Sequence, residues 1–394
     1  MPRVSVVMPC YNAELYLREA IQSVLDQTFE DYEIVAVDDG STDGTRTVVE
    51  AFDDSRLRYI YRENGGPGAA RNTGISAARG EYIAPLDADD LALPHRLSSQ
   101  LAALDAEPTL SVVGSGYEWI DGAGQHIPWE RHSWQRFPDL DGIRGWLFDC
   151  PVVPSATMLR RAAWEDVEGF DETLIGPEDW NFWLRLILQG HRIGWHKEVV
   201  CLYRHRPDGL SHQAQRMLAD CSLVLRQVME RPDFPPELLE AGTQALALRY
   251  IDGTKRLFWA GQWPEGEAAL EEALRLYPEL MSGQPSRVED ELLSAALDPI
   301  VNEPMGFLRT LFDYLPKAAV DLQSRRQHVL TRAHVELLAR GVQLRDPRMV
   351  LKHLGPWLMT LPRGAFDRGT WAFYARAVVN RVWELGHRVR QRLR

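Results

Sequence analysis

At 394 residues, with 45% hydrophobic and 25% charged content, the chain has the make-up of a globular protein and the length of two domains. A formal net charge of −12 excludes a nucleic-acid surface, which needs clustered Lys and Arg, but leaves room for a nucleotide held by a metal ion and one or two arginines. Cys10, Cys150, Cys201 and Cys221 stand far apart with no C-x-x-C pair, so neither a disulfide framework nor a zinc site is expected and the setting reads as the reducing cytoplasm. No segment reads as a signal peptide, and no apolar run approaches the ~18 residues of a membrane span.

Residues 4–8 are a short β-branched run stopped by Pro9, which predicts a buried parallel strand. Asn12 is placed to cap a helix whose face carries Leu17, Ala20, Ile21, Val24 and Leu25. A second strand, 32–37, runs into Asp38-Asp39-Gly40-Ser41-Thr42-Asp43-Gly44-Thr45, where the glycines permit tight turns and Ser41, Thr42 or Asp43 can cap the helix of Val48 and Val49. A third strand spans 57–61, followed by the loop 64–68 and a helix through Ala69, Ala70, Ile75 and Ala78. The strand 82–86 then delivers Leu86-Asp87-Ala88-Asp89-Asp90. If the strand continues, its period of two puts Asp87 and Asp89 on one face and Asp90 on the other. Carboxylates so close repel unless a cation lies between them, and hard oxygen ligands suit Mg²⁺ or Mn²⁺. The plain alternative is a turn in which each Asp bonds its own backbone.

Strand and helix alternate throughout, which predicts an open α/β sheet whose ligands lie beyond the carboxyl ends of the strands. Polar residues gather at three such ends: Tyr11 and Asn12, Asp38 and Asp39, and Asp87 to Asp90. Further on come a strand at 111–119, a hairpin turn at Asp121-Gly122-Ala123-Gly124, and an aperiodic surface loop at 127–137. The loop's Trp129 and Trp134 serve either as anchors or as rings that stack on a sugar. A strand at 154–158 and a short helix at 160–164 lead to Gly176-Pro177-Glu178-Asp179, which opens an amphipathic helix bearing Phe182, Trp183, Leu186 and Ile187. Pro177 suits the first turn, and the two acids suit the positive end of the helix dipole.

Val7-Met8-Pro9-Cys10-Tyr11-Asn12, Val37-Asp38-Asp39-Gly40-Ser41-Thr42-Asp43-Gly44-Thr45, Ala69-Ala70-Arg71-Asn72-Thr73-Gly74 and Leu86-Asp87-Ala88-Asp89-Asp90 together resemble the family 2 glycosyltransferases, over about residues 3–212. The resemblance implies a GT-A-type open mixed, mostly parallel sheet with helices on both faces, and inverting transfer of a sugar from a nucleotide donor. By the same resemblance, Asp39 takes the N–H of a uracil-like base, Pro9 and Tyr11 pack on that base, and Arg71 lies near the nucleotide. Asp87 faces the ribose and Asp89 the metal, Mn²⁺ or Mg²⁺. For Asp38 a ligand role and simple turn capping stand side by side, and Asp90 reads as support. Gly169-Phe170-Asp171 with Glu178-Asp179 resembles the segment whose aspartate is the catalytic base, here Asp179. A carboxylate kept ionised by a helix start is a weak base, which suffices if the acceptor hydroxyl turns acidic only late in an oxocarbenium-like transition state. Tyr203-Arg204-His205-Arg206 resembles the family's closing region with its histidine one place early, so either His205 on the metal or Arg206 on the diphosphate fills that role.

Beyond residue 212 the alternation gives way to helical patterns, which predicts a nucleotide-sugar-binding domain at 1–212 and an all-helical region at 213–394. Residues 260–278 look like one tetratricopeptide-type hairpin without a second copy. The last 25 residues interleave Arg376, Arg381, Arg388, Arg390, Arg392 and Arg394 with Trp371, Phe373, Trp383 and other apolar residues. Such a helix either lies on an anionic membrane surface or docks on its neighbours. The functional expectation is a metal-dependent inverting transferase moving a sugar from a nucleotide diphosphate donor, UDP-linked, to a glycan or lipid-linked acceptor in surface polysaccharide synthesis. It would act in the cytoplasm or at the inner face of the membrane. A sugar-nucleotide nucleotidyltransferase would want a Gly-rich N-terminal loop with a basic residue where this chain has Pro9-Cys10-Tyr11-Asn12. An inactive scaffold would not need Asp89 and Asp179.

Overall fold

The structure is a computed structural model that describes residues 1–128, 133–140, 142–206, 209, 213–344 and 346–360. The chain divides into two compact units, Met1–Ala245 and a second that begins at Leu246. In the first, the strands are β1 (Val4–Cys10), β2 (Tyr32–Asp39), β3 (Leu57–Arg62), β4 (Tyr82–Pro85), β5 (Leu91–Ala92), β6 (Leu110–Ile120), β7 (His126–Ile127), β8 (Thr157–Arg160) and β9 (Arg192–Arg204). Among the described residues they form one mixed sheet in the order β3-β2-β1-β4-β8-β6-β9-β5, with β7 a hairpin on β6. The half from β3 to β4 is parallel, β8 runs antiparallel to both β4 and β6, and β9 runs parallel to β6.

Alternation along β1 and β2 explains the layers. Val4, Val6, Met8, Ile34 and Ala36 pack on α1 (Leu17–Leu25), whose buried stripe is Leu17, Ala20, Ile21 and Val24. Val7, Val35 and Val37 face the other way, toward α3 (Pro67–Ala77), which follows β3 and α2 (Thr45–Glu50). Helix α3 lies so close that a Cβ on Gly74 would stand 2.4 Å from Val7 Cγ1, and only glycine fits there. The remaining helices of this unit are α4 (Arg96–Ala106), α5 (Ser133–Arg136), α6 (Ile143–Phe148), α7 (Arg161–Asp166), α8 (Glu178–Leu188) and α9 (Ala214–Met229). Helix α9 follows the expected boundary at 212 yet belongs to the first unit, where Met217 Sδ packs on Gly176.

Two local expectations change. Asn12 does not cap α1, which starts at Leu17; it sits at φ +46°, where its Oδ1 accepts the Thr42 N–H at 2.9 Å and its N–H donates to Ser41 Oγ at 2.9 Å. Pro154–Ala156 is a single 3₁₀ turn and the strand begins at Thr157, because proline lacks the N–H a ladder needs. The long strand β9 has no clean period of two; bulges around Ser115, Gly116 and Tyr117 of β6 shift its register.

The second unit is helical. It holds most of α10 (Leu239–Trp259), then α11 (Trp263–Leu276), α12 (Arg287–Ala296), α13 (Pro304–Asp313), α14 (Val320–Ser324), α15 (Arg326–Gln343) and α16 (Pro347–Thr360). Helices α10 and α11 form a hairpin in which Phe258 stacks on Trp263 and presses on Gly266. Glu289, fully buried on α12, is paired with Arg325 at 2.8 Å and with Arg332. Trp129, Ser211 and the basic C-terminal stretch lie outside the described residues. Among the described residues no helix is long and apolar enough to cross a membrane.

Candidate active site

The loops after β1 and β2 are laced together by short polar side chains. Ala13 N–H donates to Thr45 Oγ1 at 2.8 Å, and Gly44 N–H donates to Glu14 Oε2 at 2.6 Å. Asp38 spends both oxygens internally, accepting from Ser41 N–H at 2.8 Å and from the Tyr59 hydroxyl at 2.6 Å, which is the capping alternative. Asp39, 3% exposed, accepts the Gly66 N–H at 2.7 Å and the Gly65 N–H at 3.1 Å and pairs with Arg62 at 3.1 Å. It thereby fixes the entry into α3, with Gly66 at φ +90° just before Pro67. Pro9 is half-buried in β1, while Tyr11 leaves 54% of its surface exposed at the strand end.

The acidic stretch is a turn and not a strand. Pairing with β1 ends with Leu86 N–H to Val7 C=O, and Asp90 N–H then donates back to Asp87 C=O at 3.1 Å. The three carboxylates therefore diverge by turn geometry and not by alternation. Asp87 reaches Arg71 at 2.6 Å, Asp89 reaches Arg206 at 3.3 Å, and Asp90 turns inward, 1% exposed, to accept the Arg204 N–H at 2.8 Å. Burial and mutual repulsion raise the Asp89 and Asp90 carboxyls above the ordinary range, Asp90 well above it. Beneath the turn lies Arg96, fully buried, with Nη2 on the carbonyls of Pro85 at 2.6 Å and Thr157 at 3.1 Å. Desolvation lowers its pKa to about 10, against the pull of Asp90 and Asp87.

Arg71 joins this turn to the start of α8. The guanidinium is 4% exposed; Nη2 donates to Asp87 Oδ1 at 2.6 Å and Nη1 to Glu178 Oε1 at 2.5 Å. It acts from beneath the site, bridging two acids. Glu178 also accepts the Gly176 N–H at 2.7 Å, which pins the loop before α8. Asp179 accepts the adjacent Trp180 N–H at 2.6 Å. Its pKa is pushed up to about 7 by burial first and by Glu178 next, with Arg71 pulling the other way. The expectation of an aspartate kept ionised by the helix start changes: burial and the neighbouring Glu178 outweigh the helix start.

Several residues came without a sequence signal of their own role. Ser155 Oγ accepts the Asp87 N–H at 3.0 Å. Asn72 clamps the segment before α8, with Nδ2 on Phe170 C=O at 2.9 Å and Oδ1 on Phe170 N–H at 2.8 Å. Arg204 ties β9 to the acidic turn through Asp89 C=O at 2.8 Å and to Glu19 at 3.0 Å. His205 donates its N–H to Ile120 C=O, and its ring lies 5.9 Å from Trp119. Among the described residues no three His, Cys, Asp or Glu side chains gather as a complete metal cage. Asp87 and Asp89 nevertheless offer hard oxygen ligands that fit a divalent cation sharing its shell with phosphate oxygens, and such a cation would offset the burial, and then the Asp87 charge, that raise Asp89.

The chain matches the model of Glycosyl transferase family 2 over residues 5–167. It is 34% identical over 196 residues to an uncharacterized glycosyltransferase of Rickettsia typhi, a match covering 47% of this chain and 59% of that protein. The chain therefore spans little more than half the length of that relative. An uncharacterized glycosyltransferase of Methanocaldococcus jannaschii is 32% identical over 208 residues, covering 52% of this chain and 71% of that one. In fold, the chain is similar to Staphylococcus aureus TarS 1–349 in complex with UDP-GlcNAc, with TM-score 0.56 and 22% identity over 82% of this chain and 92% of that one. It is similar as well to the mannosyltransferase PcManGT of Pyrobaculum calidifontis in complex with GDP-Man and Mn²⁺, with TM-score 0.52 and 23% identity over 82% and 87% of the two chains.

Proposed function

Because the chain belongs to glycosyl transferase family 2, we propose that it transfers a sugar with inversion from a nucleotide diphosphate donor, UDP-linked, to a glycan or lipid-linked acceptor of a surface polysaccharide, on the cytoplasmic side of the membrane. The observation that carries the reading is the Arg71 bridge, which brings the donor-side Asp87 and the start of α8 into one site with Asp179 poised near pH 7. The fold neighbours' complexes with UDP-GlcNAc and with GDP-Man and Mn²⁺ support a nucleotide-sugar donor and a divalent cation.

In this reading the base lies against the exposed ring of Tyr11 beside Pro9, and Asp39 holds the loop that shapes its pocket while offering remaining lone pairs to a base N–H. Asp87 faces the ribose. Asp89, with His205 as a further candidate ligand, would hold Mn²⁺ or Mg²⁺, which supplies charge neutralisation at the leaving diphosphate. Arg206, now on Asp89, is the cationic side chain nearest that role for the diphosphate itself. Asp179 accepts the acceptor hydroxyl proton as the new oxygen–carbon bond forms at the anomeric centre and the bond to the diphosphate oxygen breaks. At pH 7 a pKa of about 7 leaves roughly half of Asp179 ionised, and the gain in basicity offsets that loss.

The test is thermal shift and donor hydrolysis with UDP-, GDP- and dTDP-sugars, each with and without Mn²⁺. Stabilisation by one nucleotide class, dependent on Mn²⁺ and lost in Asp89→Ala, is the expected result. Stabilisation by none of them, or binding indifferent to metal, overturns the donor or the metal assignment respectively.

A further inference from the structure

Strands β6 and β9 carry an aromatic wall that the donor chemistry does not use. Trp119 stands opposite Tyr203 in the ladder, Tyr117 lies two residues before Trp119, and His205 follows two after Tyr203. The rings touch in a chain: Tyr117 to Tyr203 at 5.5 Å between centroids, Tyr203 to Trp119 edge-on at 4.9 Å, and Trp119 to His205 at 5.9 Å. None of the four is fully buried, and His205 is exposed. The wall lies at the end of β9 that meets the acidic turn: the main-chain N–H of Arg204 donates to Asp90 at 2.8 Å, its side chain donates to the main-chain carbonyl of Asp89 at 2.8 Å, and Arg206 pairs with Asp89 at 3.3 Å.

We propose that Tyr203, Trp119 and Tyr117 form the acceptor subsite, and that the acceptor presents a saccharide ring to it. The inference rests on the transferase reading above and names the chemical class of its second substrate. Aromatic faces match the C–H faces of a pyranose, while phenol and imidazole edges offer hydrogen bonds to its hydroxyls. An alkyl chain would call for an aliphatic floor, and this wall has polar atoms on every ring. A general base must come within hydrogen-bond reach of the hydroxyl it deprotonates, so the proposal requires a sugar held on this wall to present a hydroxyl to Asp179.

The experiment uses the full chain with its identified donor and Mn²⁺, and as acceptor probes the methyl and octyl glycosides of glucose, galactose and N-acetylglucosamine, with octyl phosphate as competitor. Trp119→Leu and Tyr203→Leu are each expected to raise KM for the best glycoside about tenfold, with donor Kd by calorimetry unchanged and with most of the loss recovered in Trp119→Phe and Tyr203→Phe. An unchanged glycoside KM in both Leu variants overturns the proposal. So does selection for the octyl chain alone, with octyl phosphate competing as well as an octyl glycoside. If no nucleotide sugar binds the parent chain, the transferase reading fails on its own, and the wall is read by saturation-transfer NMR with the methyl glycosides. Signals present with the parent and lost with Trp119→Leu support the subsite, and equal or absent signals overturn it.

Discussion

The two halves of the site are held by different means. On the donor side, loops at 10–14, 38–45 and 64–66 are tied by short side chains to nearby backbone N–H groups, as in Asn12 to Thr42 and Asp39 to Gly66. On the catalytic side the ties are few, long in sequence and in two of three cases charged: Arg71 to Glu178, Asp90 to Arg204, and the neutral bond of Asn72 to Phe170. Many weak, redundant bonds make the first half tolerant of single losses. The second depends on individual buried charges, where removing one partner strands the others.

The largest expected effect tests the division of labour itself. Asp179→Asn should lower kcat about 10²–10⁴-fold while donor Kd by calorimetry stays at the parent value; retained transfer would remove Asp179 from the base role. Next comes the strut between the halves. Arg71→Leu leaves Glu178 and Asp87 without their counter-charge and should cost about 3–5 kcal/mol in a denaturant titration, with Arg71→Lys losing less. A change under about 1 kcal/mol would mean that the halves stand independently. The third is a shift in pH dependence. Transfer should rise with pH through an apparent pKa of about 7 as Asp179 loses its proton, and Glu178→Gln, by removing a neighbouring negative charge, should move that limb to lower pH. A limb that stays put would assign it to another group. The smallest effect belongs to the donor side, where Asn12→Ala removes one link to Thr42 and should cost about 1 kcal/mol, read as a modest drop in Tm.

That contrast also explains what could be read from the sequence. Parallel strands announced themselves because Val4 to Met8 and Tyr32 to Val37 are buried on both faces and so are apolar but for Ser5 and Glu33. The donor loops were legible because their bonding partners sit in compact motifs of Asn, Asp, Ser, Thr and Gly. The Asp87 to Asp90 stretch was visible as chemistry but not as geometry, since nothing in its residues says that the strand stops at Pro85. The acids at the start of α8 were legible as helix-start chemistry, while the raised pKa of Asp179 was not, because helix-start chemistry is local and burial is not. Arg71 bridging two acids, Arg96 under the turn and the wall of Tyr117, Trp119 and Tyr203 depend on which strands become neighbours. Sheet order β8-β6-β9 is a tertiary fact that no period in those strands encodes.

Arg96 determines when the repulsion among three crowded carboxylates is met. Its charge is sealed under the turn with carbonyl partners from Pro85 and Thr157, so the opposing field is installed when the chain folds and is carried by the core. In the proposed transferase a donor would meet a receptor already set in shape, and the ordering entropy of the turn would not subtract from its affinity. Donor capture in such a site is governed by encounter and by electrostatic steering, with ionic strength as its natural control.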